Sequence, residues 1–374
     1  MIPLNPNLSA LQRSGIRRYS ELAKEVPGCV MLTLGEPEAA TAPAICAAAE
    51  AALRSGHTHY ASNQGLLALR QAIASYETAR GMACTPEQLL ITAGATGALF
   101  TALLGILEPG DEVIVPTPAF PLYESILTMA GAKLIPYNLR QNGFQIRQEA
   151  LLPLFTSKTK AIVLNSPHNP TGTVLSADSL AVVKEAVLGK PVYVICDNVY
   201  TALTENCPDL SLDPQLQSQL LLCQSFSKPY AMTGWRVGWL AGPAEVISRL
   251  LLLNAAQIAG VPTFVQHACI TALEQDITPA MEAYQANRAY VCSRLTDMGL
   301  PFPKPEGAFY VFPDISSTGL SDEEFCTRLI REAGVATVPG SCFGCPGHIR
   351  ISCCCSRSAL EEGLDRLEAF LQKL

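Results

Sequence analysis

Ser225-Phe226-Ser227-Lys228-Pro229-Tyr230-Ala231-Met232-Thr233-Gly234-Trp235-Arg236-Val237-Gly238 is the stretch from which the rest of the chain can be read. The run Leu220-Leu221-Leu222-Cys223 directly before it has the length and composition of a buried strand. Lys228 therefore falls on the loop leaving the carboxyl end of that strand, where open α/β sheets bind their ligands. A lysine amine becomes a nucleophile toward carbonyls when its surroundings lower its pKa. Arg236, with the hydroxyls of Ser225 and Ser227, makes a polar socket for a dianion such as a phosphate. A surface lysine on a serine-rich turn would leave the same string, so the other strands have to decide.

Short apolar runs at 89–92, 112–115, 161–164, 192–196 and 239–241 alternate with helical stretches. This predicts a mostly parallel, doubly wound sheet with helices on both faces. The runs end in residues of chemical interest. After 89–92 comes Ala93-Gly94-Ala95-Thr96-Gly97, a turn into an apolar helix. Its glycines admit close backbone approach, and the free N–H groups at the helix start make an anion site. Gly94, Ala95, Thr96, Ser227 and Arg236 are thus candidates for one phosphate cup. After 112–115, Phe120 offers a flat apolar face to a ring. After 161–164, Pro167 and Pro170 stiffen the loop that carries Asn169. After 192–196 comes Asp197-Asn198-Val199-Tyr200, and a carboxylate at the end of a buried strand is costly unless paired.

The 374 residues carry 26 Lys and Arg against 33 Asp and Glu, a net charge of −7 that argues against a nucleic-acid partner. Residues 1–20 hold Pro3, Pro6 and three arginines without an apolar core, and the run 97–107 is too short to span a bilayer. The expectation is no membrane association, a cytoplasmic location, and reduced thiols for the 14 cysteines. Cys342, Cys345 and Cys353-Cys354-Cys355 invite a metal reading. Three consecutive cysteines after Ile349-Arg350-Ile351-Ser352 fit an extended strand with alternating faces better, so no metal is expected. Helices are predicted over 41–55 and 65–81, and an alternating strand from Glu306 onward.

The run from Ser225 to Gly238 resembles, position by position, the cofactor-lysine motif of the class I and II aminotransferases, pyridoxal-phosphate enzymes of fold type I similar to aspartate aminotransferase. Further matches extend from Gly35-Glu36-Pro37, through Tyr60, Phe120, Asn169 and Asp197-Asn198-Val199-Tyr200, to Arg350. The resemblance implies a large domain with a seven-stranded sheet and a smaller α/β domain built from both chain ends. Expected boundaries are 1–45 for the amino-terminal segment and part of the small domain, 46–280 for the large domain and 281–374 for the small carboxy-terminal domain. It also implies that Lys228 holds pyridoxal 5'-phosphate and moves the Cα proton, that Asp197 keeps the pyridine nitrogen protonated, and that Tyr200 and Asn169 bind its ring oxygen. Phe120 would stack on the ring. Gly35, Asn169 and Arg350 would meet the substrate, Arg350 gripping its α-carboxylate. Tyr60 would cross to a second subunit and touch that subunit's phosphate, making a homodimer with shared active sites.

The activity this implies is transfer of an amino group from an L-amino acid to a 2-oxo acid such as 2-oxoglutarate. Relatives that prefer aspartate often carry lysine at the position of Thr96, so a neutral aliphatic or aromatic donor is favoured. A carbon-sulfur β-lyase on the same scaffold uses the same cofactor residues and is the alternative. A non-catalytic, cofactor-binding regulator is a third reading, disfavoured because no catalytic residue is missing.

Overall fold

The structure, a computed structural model, describes residues 5–11 and 14–374. The amino-terminal reading of 1–20 therefore lies partly outside the described residues. Seven strands make the central sheet: β1 (Leu89–Thr92), β2 (Glu112–Thr117), β3 (Lys133–Asn138), β4 (Thr159–Asn165), β5 (Tyr193–Asp197), β6 (Leu220–Ser225) and β7 (Gly238–Ala241). Their spatial order is β1-β7-β6-β5-β4-β2-β3. Only β7 runs antiparallel to its neighbours, pairing Leu222 with Ala241 on one side and Leu89 with Ala241 on the other. The inner strands are largely apolar because both faces are covered. Ile91, Ile114, Ile162, Val194 and Leu222 pack into one hydrophobic layer. Their chain neighbours Leu90, Val113, Val163, Ile195 and Leu221 pack into the opposite layer with helix Gly94–Ile106. β3 escapes the apolar-run criterion because it is an edge strand, with Lys133, Pro136 and Asn138 exposed.

Both chain ends meet in a second core. Val30–Met31 pairs in parallel with Val335–Ala336, and Leu32 joins Phe309, Val311, Phe325, Ile351 and Leu364 in one buried cluster. A three-stranded antiparallel sheet there has Ile349–Ser352 between Val338–Pro339 and Tyr310–Val311. Two details of the sequence reading change. The strand expected from Glu306 is only Tyr310–Val311, and its neighbours from Ala308 to Phe312 are all buried, so no alternation survives. The strand carrying Arg350 stops at Ser352, and Cys353 and Cys354 are both buried beyond it. Packing on both faces replaces the amphipathic pattern in each case. The helix expected at 41–55 is Pro43–Arg54, and that at 65–81 is Leu67–Ala79.

All 14 cysteines are free thiols. Among the described residues no group of three His, Cys, Asp or Glu side chains could hold a metal ion, and no helix is long and apolar enough to cross a membrane.

Candidate active site

The carboxyl ends of β4, β5 and β6 lie side by side, with Asn165 opposite Asp197 and Asp197 opposite Cys223 in the register. Beyond them the two cores face each other across a cavity of about 320 Å³. Asp197, Tyr200, Asn169, Lys228, Ser225 and Ser227 all line it. So do Ala95, Thr96, Phe120, Arg236, Gly35 and Arg350. Gly94 stands just behind, at the amino end of helix Gly94–Ile106. A Cβ on Gly94 would come within 2.8 Å of Arg236 Nη2, and its φ of +70° is left-handed, so glycine is required where the guanidinium closes on the helix start. Arg236 is itself left-handed at φ +54°, a strained backbone of the kind that persists at binding sites. Tyr60 is not in this cavity: it is 93% exposed, on the outer surface of its own chain.

Lys228 sits on the loop after β6 and donates from Nζ to the carbonyl of Gly35, 2.5 Å away. Burial pushes its ammonium down from 10.5 to about 8; Arg350 and Arg236 add to the push, while Cys354 and Glu36 oppose it. Asp197 ends β5 in the sheet interior. Burial raises its carboxyl from 3.8 to about 6, with the Tyr123 hydroxyl, the Val199 amide and the Lys228 charge drawing it back. Tyr123 donates to Asp197 Oδ2 at 2.6 Å. Oδ1 has no hydrogen-bond partner among the described residues. A buried carboxylate oxygen left open in a cavity calls for a donor, preferably a charged one.

Arg350 crosses from the smaller core. It donates to Asn169 Oδ1 at 2.9 Å and to the Thr33 carbonyl at 2.5 Å, and its Nε has no partner among the described residues. Its guanidinium lies 4.4 Å from the Tyr310 ring centre and 4.9 Å from that of Phe343. Asn169 is fixed in turn by its backbone N–H, which donates to Asn165 Oδ1 at 2.8 Å. The Tyr200 hydroxyl meets that of Tyr310 at 3.0 Å, and burial raises the Tyr200 phenol well above 10.

Three contributors were not read from the sequence. Thr33 lends only a carbonyl, which carries no side-chain signal. Tyr310 lies in a strand too short to show a pattern. Tyr123 was detectable, since it stands three positions after Phe120 at the start of helix Leu122–Ala130.

The donor set fits pyridoxal 5'-phosphate. The open Oδ1 of Asp197 suits a protonated ring nitrogen, and the helix start beside Arg236 and Ser227 suits a phosphate. A lysine of lowered basicity, a buried carboxylate with an open oxygen and an arginine on one cavity wall are a donor set that suits a carbonyl cofactor and a carboxylate substrate. The chain belongs to the family described as aminotransferase class I and II, whose model matches residues 27–367.

It is 37% identical over 377 residues to the probable N-acetyl-LL-diaminopimelate aminotransferase of Bacillus subtilis, covering 99% of this chain and 96% of that one. It is 35% identical over 384 residues to aromatic-amino-acid aminotransferase 2 of Thermococcus litoralis, covering 99% and 98%. The solved structure of aspartate aminotransferase from Thermus thermophilus with maleate superposes with a TM-score of 0.94 at 33% identity, covering 99% of this chain and 100% of that chain. The protein is accordingly a pyridoxal-phosphate-dependent aminotransferase of fold type I, an enzyme that moves an amino group from an amino acid to a 2-oxo acid.

Proposed function

We propose that this aminotransferase holds pyridoxal 5'-phosphate on Lys228 and takes a neutral aliphatic or aromatic L-amino acid as donor, with 2-oxoglutarate as acceptor. The observation that carries the cofactor placement is the unpartnered, buried Oδ1 of Asp197 on the wall shared with Lys228. The donor lean is supported by the apolar residues Ile16, Leu34, Leu99 and Leu122 in the cavity lining, beside which Arg17 is a charged neighbour, and by Thr96, at whose position relatives that prefer aspartate often carry lysine.

When bound, the cofactor supplies an electron sink that makes the substrate's Cα proton acidic. The residues do the rest. Arg350, held by Asn169 and Thr33, binds the α-carboxylate and turns the Cα–H bond toward Lys228. Lys228 Nζ takes the Cα proton and later returns it; its lowered basicity keeps a share of the amine neutral near neutral pH. Asp197, oriented by Tyr123, would hold a proton on the ring nitrogen of the bound cofactor. Gly94, Ala95, Thr96, Ser225, Ser227 and Arg236 would hold the phosphate, Phe120 would cover the ring and exclude water, and Tyr200 and Asn169 would hydrogen-bond the ring oxygen.

The working unit is a homodimer, in which the exposed Tyr60 reaches the partner's phosphate. The core that unites Tyr19 and Leu32 with Phe309 and Leu364 supports a second, smaller domain, but boundaries at 45 and 280 would cut the helices Pro43–Arg54 and Thr278–Asp297. A cytoplasmic working place is supported by the 14 free thiols. A panel of amino donors mixed with 2-oxoglutarate tests the reading. Glutamate should form fastest with neutral or aromatic donors; ammonia in place of glutamate would instead establish the β-lyase, and a preference for aspartate would refute the donor class.

A further inference from the structure

Tyr310 touches three parts of the site and was assigned to none of them. Its hydroxyl lies 3.0 Å from that of Tyr200, and both side chains are buried. Its ring lies under the Arg350 guanidinium, whose carbon is 4.4 Å from the ring centre. Its hydroxyl also presses on Gly35, the residue whose carbonyl takes the Lys228 amine. A Cβ at Gly35 would collide with the Tyr310 hydroxyl and lie 2.8 Å from its Cζ. Tyr200 follows β5 of the large sheet, whereas Tyr310 lies in the smaller one, paired with Ser352. The contact therefore joins the two cores across the cavity.

Either phenol could donate in this pair. The other titratable or charged groups facing the two are Arg350, Asp197, Cys353 and Cys354. Burial raises both phenols, and Arg350 is the largest influence drawing Tyr310 back down. Each phenol carries one proton, so when the Tyr200 proton goes to the ring oxygen, the one between the two hydroxyls comes from Tyr310. A phenol oxygen that accepts one hydrogen bond keeps its own proton for another acceptor, and donates it more strongly.

We propose that Tyr310 is a positioning residue that sets two contacts at once: its hydroxyl turns the proton of Tyr200 into the cavity, and its ring braces Arg350 for the substrate carboxylate. The role rests on the cavity taking pyridoxal 5'-phosphate, with Tyr200 meeting the ring oxygen, as proposed above. Tyr200 then stabilises negative charge on that oxygen only as well as Tyr310 directs it.

The test uses purified holoenzyme and follows visible absorbance of the bound cofactor as a function of pH. Tyr310→Phe should raise the pH midpoint of the spectral change by about half to one unit, the worth of one hydrogen bond, while the donor KM stays within about twofold. Tyr310→Leu, which also removes the ring, should raise the donor KM about tenfold as well. Tyr200→Phe with Tyr310→Phe should shift the midpoint no further than Tyr200→Phe alone, because the second hydroxyl acts through the first. An unmoved midpoint in Tyr310→Phe, or a double variant displaced by the sum of the singles, would overturn the hydroxyl's role. An unchanged KM in Tyr310→Leu would overturn the brace. A wild-type protein that forms no visible chromophore with pyridoxal 5'-phosphate would strike the cofactor reading instead, which separates the two failures.

Discussion

Replacing Asp197 by Asn separates the stability of the empty site from its chemistry, because the two should change in opposite directions. In the chain without cofactor the carboxyl is raised by burial from 3.8 to about 6. Its folded value lies above its unfolded one, so the ionised form is disfavoured by the fold. Stability falls as pH rises from 3.8 through about 6, and the full cost is present above that window. That displacement corresponds to about 3 kcal/mol at 1.36 kcal/mol per unit. Asn cannot ionise and its Oδ1 can still accept from the Tyr123 hydroxyl, so the apo variant should resist urea better than the wild-type apoprotein at pH 7.5, by up to about 3 kcal/mol. At pH 5 the advantage should shrink to about half, since the wild type is then partly protonated. In the holoenzyme the same change removes one member of a buried charge pair, worth about 3–5 kcal/mol, so transamination should fall by about two to four orders of magnitude. Parallel urea titrations of the two apoproteins and steady-state assays of the two holoenzymes provide the comparison. An apo variant less stable than wild type at pH 7.5, or a holo variant of near-wild-type activity, would refute the reasoning.

The remaining predictions concern the lysine, the turn it leans on and the second subunit. Borohydride reduction of the holoenzyme should fix the cofactor to the one peptide containing Lys228, and Lys228→Ala should bind cofactor through Asp197 and Arg236 without turnover; a label elsewhere removes Lys228 from its role. Gly35→Ala should displace the Tyr310 hydroxyl and cost about 1–3 kcal/mol of stability through overpacking, measured by denaturant titration; unchanged stability would mean that the turn yields freely. Mixing Tyr60→Phe chains with Lys228→Ala chains should, after subunit exchange, give more activity than the two parents added, because one site of each hybrid carries neither lesion. A protein that sediments as a monomer at assay concentration excludes that arrangement.

Much of the site was legible because each piece is local. A buried strand, the turn after it and the first polar residue of that turn are adjacent in sequence, and parallel strands bring such turns to one edge of the sheet. Lys228 after β6, Asp197 at the end of β5, Asn169 after β4 and the glycine turn after β1 could therefore be placed at that edge from neighbouring residues alone. Only the tertiary structure could decide what those groups meet. Tyr123 and Asp197 are 74 positions apart, Tyr200 and Tyr310 are 110 apart, and Arg350 and the Thr33 carbonyl are 317 apart. No local pattern encodes such pairs, because a hydrogen bond depends on which surfaces packing brings within 3 Å. The same holds for the raised carboxyl of Asp197 and the lowered amine of Lys228, since burial is a property of the closed cavity and not of the strand that carries either residue. The sequence by itself determined which chemical groups stand at the sheet edge; the folding of both chain ends over that edge decided how each is charged, oriented and paired.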